Sequence, residues 1–145
     1  MLLSNDLYKT IIDNSVNLCT DIFLYYKGKM LLVRRTQEPC KGLYWPAGGR
    51  IRKGETAEKA ARRIIKKELN IDYQGKLQPI GFYEDQYSAN SFMTNTHYHT
   101  LSIVYRGEID DISNIELDHT SDDYQLFDKM PLTFHLQSFS NDNSN

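Results

Sequence analysis

The sequence predicts a single α+β or sandwich-like domain built around a mixed β-sheet, and three observations support this prediction. A chain of 145 residues has the usual length of one domain. Hydrophobic residues form 40% of it and charged residues 25%, as in globular proteins that bury a core of their own. Segments rich in β-forming residues lie on both sides of one amphipathic helix, in the order β-β-β-α-β-β-β.

The first element is a predicted short helix over residues 4–14. Ser4 is suited to its N-cap, because a serine hydroxyl accepts a hydrogen bond from an N–H group of the first turn. Leu7, Ile11 and Ile12 then follow at helical spacing. The pattern predicts a structural helix.

A β-hairpin is predicted next. Its strands are residues 21–26 and 30–35, both rich in aliphatic and aromatic side chains, and residues 27–29 form the turn around a central glycine. Residues 43–46 supply a further short β-rich segment before the main helix.

The clearest helix runs from Thr56, as its N-cap or its first turn, to about Leu69. Its apolar residues predict one buried face. They are Ala60, Ala61, Ile64, Ile65 and Leu69. Glu68 lies on or beside that face, where a carboxylate is costly to bury unless it is paired or binds a metal. The alternative is a glutamate at the edge of the face that reaches water.

Three strands are predicted after this helix, at residues 79–83, 97–105 and 124–127. The polar segment 84–95 is predicted as a loop. Residues 1–137 are therefore expected to form one domain and the polar residues 138–145 a disordered tail.

The charge balance excludes binding through overall charge. Seventeen Lys and Arg against nineteen Asp and Glu give a net charge of −2, so nucleic acid and membrane are not expected as partners. Basic residues are concentrated between Arg34 and Lys67, which favours a local site for a small anion. No apolar segment reaches the roughly 18–20 residues of a membrane span. Cys19 and Cys40 form no CxxC pair and are expected to be free thiols, and a cytoplasmic location is predicted.

Residues 49–71 resemble the Nudix box, in which a glycine is followed after five residues by a glutamate and after seven more by Arg-Glu-apolar-any-Glu-Glu-any-Gly-apolar. The residues in register are Gly49, Glu55, Arg63, Ile65, Glu68 and Ile71. Three positions depart from the box. Ile64 and Lys67 stand in place of glutamates, and Asn70 stands in place of the second glycine.

One branch of this family, the GDP-mannose mannosyl hydrolases, lacks the same two glutamates, and the chain resembles that branch over roughly residues 5–128. Four further motifs, each weak alone, carry the resemblance. They are Arg34-Arg35-Thr36, Tyr44-Trp-Pro-Ala-Gly-Gly-Arg50, Thr96-His-Tyr98 and Asp122-Asp-Tyr124. The resemblance implies a Nudix-like α/β/α sandwich with a mixed β-sheet, and a homodimer.

The resemblance also implies a site for Mg²⁺ and a GDP-sugar. The Gly48 carbonyl, the Glu68 carboxylate and Thr120 would ligate Mg²⁺, a hard cation that prefers oxygen ligands. The residues implied to contact the substrate are Asp21, Arg35, Arg50, Arg63 and Tyr98, with Arg35 also acting in catalysis. The alternative for Arg34, Arg35 and Arg50 is a solvated basic face. For Tyr98, a packing aromatic is as compatible with the residue type as a contact with substrate.

The general base is the main departure from that branch. Where its members carry Gln-His before the Asp-Asp-Tyr motif, this chain has Thr120 and Ser121. A serine hydroxyl cannot accept a proton near neutral pH. His119 is the candidate base if the loop is displaced, and a surface histidine is the alternative. His97, in the Thr-His-Tyr motif, is another imidazole near the expected site. Without a base, turnover would be slower by about 10²–10⁴-fold.

Three functions follow from these residues. The first is Mg²⁺-dependent hydrolysis of GDP-mannose or GDP-glucose at the sugar C1, which releases GDP and free sugar. One metal ion with arginines suits this reaction, because a departing diphosphate must be stabilised. The second is a catalytically impaired module that binds a nucleotide sugar. The third is a pyrophosphohydrolase that cuts between phosphates, which requires carboxylates that this box lacks.

Overall fold

The structure is a computed structural model that describes residues 3–87, 98–131 and 136–139. This part of the chain forms two helices and eight strands. They are α1 (Asn5–Asn14), β1 (Asn17–Tyr26), β2 (Lys29–Arg35), β3 (Tyr44–Trp45), β4 (Ala47–Arg50), α2 (Ala57–Leu69), β5 (Gln78–Tyr87), β6 (Tyr98–Ile109), β7 (Ser121–Phe127) and β8 (Gln137–Ser138). The predicted α+β class is confirmed.

Each helix begins at a side-chain cap. The Ser4 hydroxyl accepts the Leu7 N–H at 3.3 Å in α1, and the Thr56 hydroxyl accepts the Lys59 N–H at 3.2 Å in α2. Thr56 is therefore the N-cap of α2 and not part of its first turn. Of the apolar stripe predicted for α1, Ile12 is buried, whereas Leu7 remains exposed.

The C-terminus of α2 explains one departure from the Nudix box. Asn70 caps the helix in the left-handed conformation, with φ of 58°, and its N–H donates to the Lys66 carbonyl at 3.0 Å. Glycine adopts this conformation most easily, and asparagine is the usual replacement. Asn70 thus ends the helix in the geometry that the box glycine would allow.

Strand β1 lies at the centre of a mixed sheet. It pairs in parallel with β6 along its whole length, and all other strand pairs are antiparallel. Its other edge is shared, because its first half pairs with β4 and its second half with β2. Strand β2 continues beyond β1 and pairs with β7. Because β1 and β2 diverge, the first half of β1 is free to pair with β4.

The predicted hairpin is present, with a shorter turn than expected. Lys27 and Gly28 both have positive φ, 49° and 78°, as in the two-residue turns that match the twist of the strands. Lys29 therefore begins β2 rather than completing the turn.

Helix α2 packs on β1 and β4 and buries the main core. Its apolar face contributes Ala61, Ile64, Ile65 and Leu69 to this cluster. A second cluster contains Phe23, Leu32, Trp45, Tyr83 and Val104. The apolar face predicted for α2 is confirmed.

Several strands after α2 differ from the predictions, and one of them, β6, continues to Ile109 instead of ending at Tyr105. Strand β5 extends to Tyr87 because Tyr83–Tyr87 pairs with β6, so the first part of the predicted loop 84–95 is strand. Strand β7 begins at Ser121, which pairs with Arg35. Strand β8 was not predicted, and its Ser138 pairs with Gly81. Residues 88–97, including His97, and residues 140–145 of the predicted tail lie outside the described residues.

Candidate active site

A cleft of about 330 Å³ lies where α1, β1, β4 and β6 meet the segment after β2 and the turn before β7. Most residues predicted for the site line it. They are Asp21, Arg35, Gly48, Arg50, Tyr98, His119 and Thr120. Positions far apart in sequence are brought together because β4 and β6 flank β1 on opposite edges.

A larger cavity, about 640 Å³, lies beside the C-cap of α2 and the segment that follows it. It contains none of the predicted site residues, and its lining includes Asp72, Glu108, Asp110 and Asp111. These carboxylates would repel a diphosphate. The smaller cleft, with its arginines, is therefore the candidate active site.

Glu68 does not itself line the cleft; it is buried next to Gly48, which does, and 8% of its surface is exposed. Its Oε2 accepts the Gly48 N–H at 3.3 Å. Burial, reinforced by the neighbouring Asp118 carboxylate, raises the pKa of Glu68 to about 8. The structure thus confirms a carboxylate on the buried side of α2, and excludes the alternative in which Glu68 reaches water.

Asp118 is the residue of this site that sequence reasoning missed. Its Oδ1 accepts both the N–H and the hydroxyl of Thr120, and its N–H donates to the Glu68 carbonyl at 3.4 Å. Its Oδ2 is buried and accepts no hydrogen bond from the described residues. The available signal was an aspartate two residues before Thr120, in the turn expected to carry a metal ligand.

Two carboxylates and a backbone carbonyl fit a single divalent cation. In an antiparallel pair the N–H and C=O of one residue point to the same edge, so the Gly48 carbonyl faces the side on which its N–H meets Glu68. The unsatisfied Asp118 Oδ2 lies beside this pair. Hard cations such as Mg²⁺ prefer this donor set. Within residues 3–87, 98–131 and 136–139, no three His, Cys, Asp or Glu side chains converge as a larger metal cluster.

Thr120 has a different geometry from the one expected of a metal ligand. Its hydroxyl hydrogen is donated to Asp118, and its carbonyl accepts the Thr36 N–H at 2.9 Å. The Thr36 hydroxyl in turn donates to the His119 carbonyl at 2.7 Å. These bonds hold the turn, and with it Asp118 and His119, at the cleft.

Asp21 lies at the floor of the cleft and is 5% exposed. The Tyr83 hydroxyl donates to its Oδ2, and Ser102 is a second hydrogen-bond partner. Burial raises the pKa of Asp21 to about 6, against the opposing effect of these bonds. A Cβ at Gly48 would lie 1.7 Å from Asp21 Oδ1. Glycine is therefore required at 48 by the approach of this carboxylate.

Arg35 and Arg50 supply positive charge to the cleft. The Arg35 Nε donates to the Pro39 carbonyl at 2.6 Å, which fixes one side of its guanidinium. The Arg50 guanidinium lies 4.9 Å from the centre of the Tyr8 ring. Tyr98 approaches the Tyr8 hydroxyl and the Cys19 thiol. Tyr98 thus lines the cleft with its polar end engaged within the protein.

Arg63 does not line the cleft. Its Nε and Nη2 donate to the two Glu55 oxygens at 2.6 and 2.9 Å, and Nη2 also reaches the Arg50 carbonyl at 2.9 Å. The expectation that Arg63 contacts the substrate is not supported by this placement. The guanidinium instead ties α2 to Glu55 in the preceding loop and to the end of β4 at Arg50. This agrees with the position of Arg63 on the helix, away from the face of Glu68.

The other two departures from the box also have structural explanations. Ile64 is 2% exposed within the main core, where Gly49 lies against its side chain. Lys67 lines the cleft, and its Nζ lies 3.8 Å from Asp118 Oδ2.

Ser121 stands at the position where the branch that the chain resembles carries its base, and it is buried in β7. His119, in contrast, is exposed and lines the cleft. The only imidazole among the described cleft residues is therefore that of His119.

The described residues include no helix that is long and apolar enough to cross a membrane.

Cys19 and Cys40 are free thiols, as the sequence predicted. Both also line the cleft.

The chain matches a family model and is similar in sequence to a glycan biosynthesis protein. A model of the NUDIX domain matches residues 18–140. The low-salt glycan biosynthesis protein Agl8 of Haloferax volcanii is 26% identical over 124 residues, which cover 86% of this chain and 78% of that protein.

Solved structures share the fold at low sequence identity. The NUDIX domain of Shewanella oneidensis NrtR, complexed with ADP ribose, is 16% identical with a TM-score of 0.61 and covers 86% of this chain and 83% of that chain. The MutT protein of Methanosarcina mazei Go1 is 16% identical with a TM-score of 0.64, covering 81% and 80%. The dihydroneopterin triphosphate pyrophosphohydrolase of E. coli is 17% identical with a TM-score of 0.63, covering 79% and 84%.

Proposed function

Because this chain belongs to the NUDIX domain family, we propose that it is a Mg²⁺-dependent hydrolase of a GDP-sugar, GDP-mannose or GDP-glucose. Hydrolysis at the sugar C1 would release GDP and free sugar. The glycan-biosynthesis role in the name of the similar Agl8 protein supports a sugar-nucleotide substrate. We also propose a single domain over residues 1–137, a cytoplasmic location and a homodimer, all from the family resemblance and composition.

One observation carries this proposal: the box helix offers the cleft a single carboxylate. Glu68 meets Gly48, whereas Ile64 is in the core and Lys67 places a positive charge on the cleft. A clustered set of metal ions, which stabilises attack at phosphorus, needs more carboxylates than this helix supplies. The site is better suited to stabilising a diphosphate that departs from carbon.

The residues that would hold Mg²⁺ are the Gly48 carbonyl, Glu68 and Asp118. Asp118 joins the predicted set because its Oδ2 is buried without a hydrogen-bond donor beside Glu68. Thr120 supports this set through its two hydrogen bonds to Asp118. Bound Mg²⁺ would neutralise charge on the diphosphate leaving group.

Arg35 and Arg50 would bind the diphosphate. Guanidinium groups match pairs of phosphate oxygens and remain charged at any physiological pH. Both line the cleft together with the residues that hold them: the Pro39 carbonyl accepts a hydrogen bond from Arg35, and the Tyr8 ring lies against Arg50. This preorganisation favours the charge that develops on GDP as the C1–O bond breaks.

Asp21 and Tyr98 would contact the substrate on the floor and wall of the cleft. A buried carboxylate beside Gly48 can accept hydrogen bonds from sugar hydroxyls, and an aromatic ring offers an apolar face to a sugar or base. Arg63 takes no part in substrate contact in this proposal and positions Arg50 through its carbonyl.

His119 would be the general base. Its imidazole accepts a proton from the attacking water, the water oxygen forms the new bond to C1, and the C1–O bond electrons leave with GDP. The hydrogen bonds from Thr36 to the backbone of His119 and Thr120 hold the turn in place. An imidazole is the side chain suited to this proton transfer near neutral pH.

Hydrolysis of GDP-mannose in ¹⁸O-labelled water tests the reaction. The expected result is Mg²⁺-dependent release of GDP with the label in mannose, because water attacks C1. Label in a phosphate product would contradict the proposal and support a pyrophosphohydrolase. Mg²⁺-dependent binding without product would contradict it in favour of the binding module. Reactions with EDTA and with ADP-ribose serve as controls for metal dependence and for the substrate.

A further inference from the structure

The last turn of α2 carries two adjacent lysines that face different parts of the molecule. The Lys66 Nζ lies 3.1 Å from Asp72 Oδ2, whereas the Lys67 Nζ lies 3.8 Å from Asp118 Oδ2. Their side chains are similarly exposed, 49% and 53%. Only Lys67 lines the candidate active site.

The Lys67 ammonium contacts Asp118 through an ion pair without a hydrogen bond. At 3.8 Å its contact with Asp118 is an ion pair, longer than a hydrogen bond. An ammonium carries three hydrogen-bond donors. About half of the Lys67 side chain is exposed, and the residue lines the cleft. Its donors are therefore accessible to an anion in the cleft.

The helix dipole favours both lysines equally, so it does not explain why Lys67 lies at the cleft. Cations in the last turn of a helix are favoured by the partial negative charge of its C-terminus, and Lys66 supplies such a cation as well. The distinguishing property of Lys67 is its position beside Glu68, whose carboxylate its charge stabilises. It shares the cleft with Arg35 and Arg50.

We propose that the Lys67 ammonium binds the substrate diphosphate directly, on the basis of its placement between the cleft and Asp118. The inference rests on the proposed function for the identity of the ligand. A glutamate at this position would attract another divalent cation, whereas Lys67 repels one and supplies the positive charge itself. Lys67 is thus a catalytic residue that stabilises the departing GDP together with Arg35 and Arg50.

This role predicts opposite effects on anion and cation binding. Removal of the ammonium weakens diphosphate binding, because a charged hydrogen bond is lost. It leaves the affinity for a divalent cation unchanged or increases it, because a repulsive charge near Glu68 and Asp118 is removed. A lysine that only supports Asp118 would instead be needed for binding of the divalent cation.

The experiment compares Lys67→Met, Lys67→Arg and the control Lys66→Met with the wild-type chain. GDP affinity is measured by calorimetry, and Mn²⁺ affinity by paramagnetic resonance without nucleotide. Lys67→Met is expected to weaken GDP binding about tenfold, with Mn²⁺ bound at least as tightly as by the wild type. Lys67→Arg is expected to retain most of the GDP affinity, and Lys66→Met to change neither value by more than about twofold.

Equal GDP affinity in Lys67→Met and the wild type would overturn the inference and leave the proposed function intact. Weaker Mn²⁺ binding in Lys67→Met would also overturn it, since Lys67 would then act through Asp118. An equal loss in Lys66→Met would do the same, because any nearby positive charge would suffice. A wild-type chain that binds no GDP would overturn both the inference and the proposed function. Circular dichroism of each variant verifies folding.

Discussion

At the scale of single residues, the position of Asp21 depends on a partner that the sequence did not mark as functional. Tyr83 is 4% exposed, and its hydroxyl donates to the Asp21 carboxylate at the floor of the cleft. The side of Asp21 that faces Gly48 has no room for another side chain. Tyr83 and Gly48 together hold the carboxylate in one place.

Tyr83→Phe is expected to weaken binding of GDP-mannose about tenfold and binding of GDP by less than about twofold. The hydroxyl that positions Asp21 is lost, and Asp21 is proposed to contact the sugar rather than the diphosphate. Calorimetric titration with each ligand measures this difference.

Tyr73→Phe is the matched control for that change. Tyr73 is a similarly buried tyrosine, 7% exposed, whose hydroxyl bonds the backbone of Lys76 and Glu108 outside the cleft. It should lose a comparable amount of stability without a change in either affinity. If both variants lose GDP-mannose affinity equally, Tyr83 has no specific role in positioning Asp21.

At the scale of elements, one ion pair fastens the loop between β4 and α2. Glu55 accepts two hydrogen bonds from Arg63 and one from the Arg52 N–H at 2.8 Å. Arg63 also reaches the Arg50 carbonyl. In the described structure, the box residues Glu55 and Arg63 therefore hold the loop between β4 and α2 and the end of β4 at Arg50.

Glu55→Gln is expected to reduce the free energy of unfolding by about 1 kcal/mol at neutral pH. The Arg63 hydrogen bonds lower the pKa of Glu55 from 4.5 to about 2. A depressed pKa in the folded state stabilises the fold above the ordinary pKa, and this contribution disappears as the pH falls through the folded value. The difference between wild type and variant should therefore shrink as the pH falls from 4.5 to about 2.

Denaturant unfolding at several pH values measures this difference, with Glu58→Gln as the control. Glu58 pairs with Arg62 one turn along α2 and is half exposed, so its loss should cost only about 0.3–0.5 kcal/mol. A Glu55→Gln effect that does not depend on pH would show that the charge of Glu55 is not what fastens the loop.

At the scale of the whole molecule, the candidate metal site costs stability when no cation is bound. The buried Glu68 carboxylate lies beside that of Asp118, which together with burial disfavours the ionisation of Glu68. A cation that binds only the folded state would reverse this effect. Cation binding at the end of α2 is therefore expected to raise the free energy of unfolding.

Glu68→Gln is expected to leave the metal-free protein as stable as the wild type or more stable, because glutamine has no ionised form that is costly to bury beside Asp118. Millimolar Mg²⁺ should raise the unfolding midpoint of the wild type by a few degrees and leave that of the variant unchanged. Thermal unfolding followed by circular dichroism, with EDTA or MgCl₂, measures both effects. Asp72→Asn, which alters an exposed carboxylate paired with Lys66, should respond to Mg²⁺ as the wild type does. An equal Mg²⁺ response in Glu68→Gln would remove Glu68 from the metal site.

Local patterns accounted for most of the fold. Caps at Ser4 and Thr56, the apolar face of α2 and the glycine turn at residue 28 depend on neighbours within a few positions, and each was predictable. The extension of β5 to Tyr87 and the presence of β8 were not, because polar residues there form strands only through pairing with distant partners.

The sequence by itself determined the family pattern, the position of Glu68 on or beside the apolar face of α2, and the set of basic residues from which the cleft is built. Only the tertiary structure decided which of these residues meet. It brought Asp118 to Glu68, turned Arg63 away from the cleft towards Glu55, and placed Tyr83 against Asp21. The reason is physical: the periodicity of a helix or strand sets the face on which a side chain lies, whereas its partner is set by the packing of distant elements.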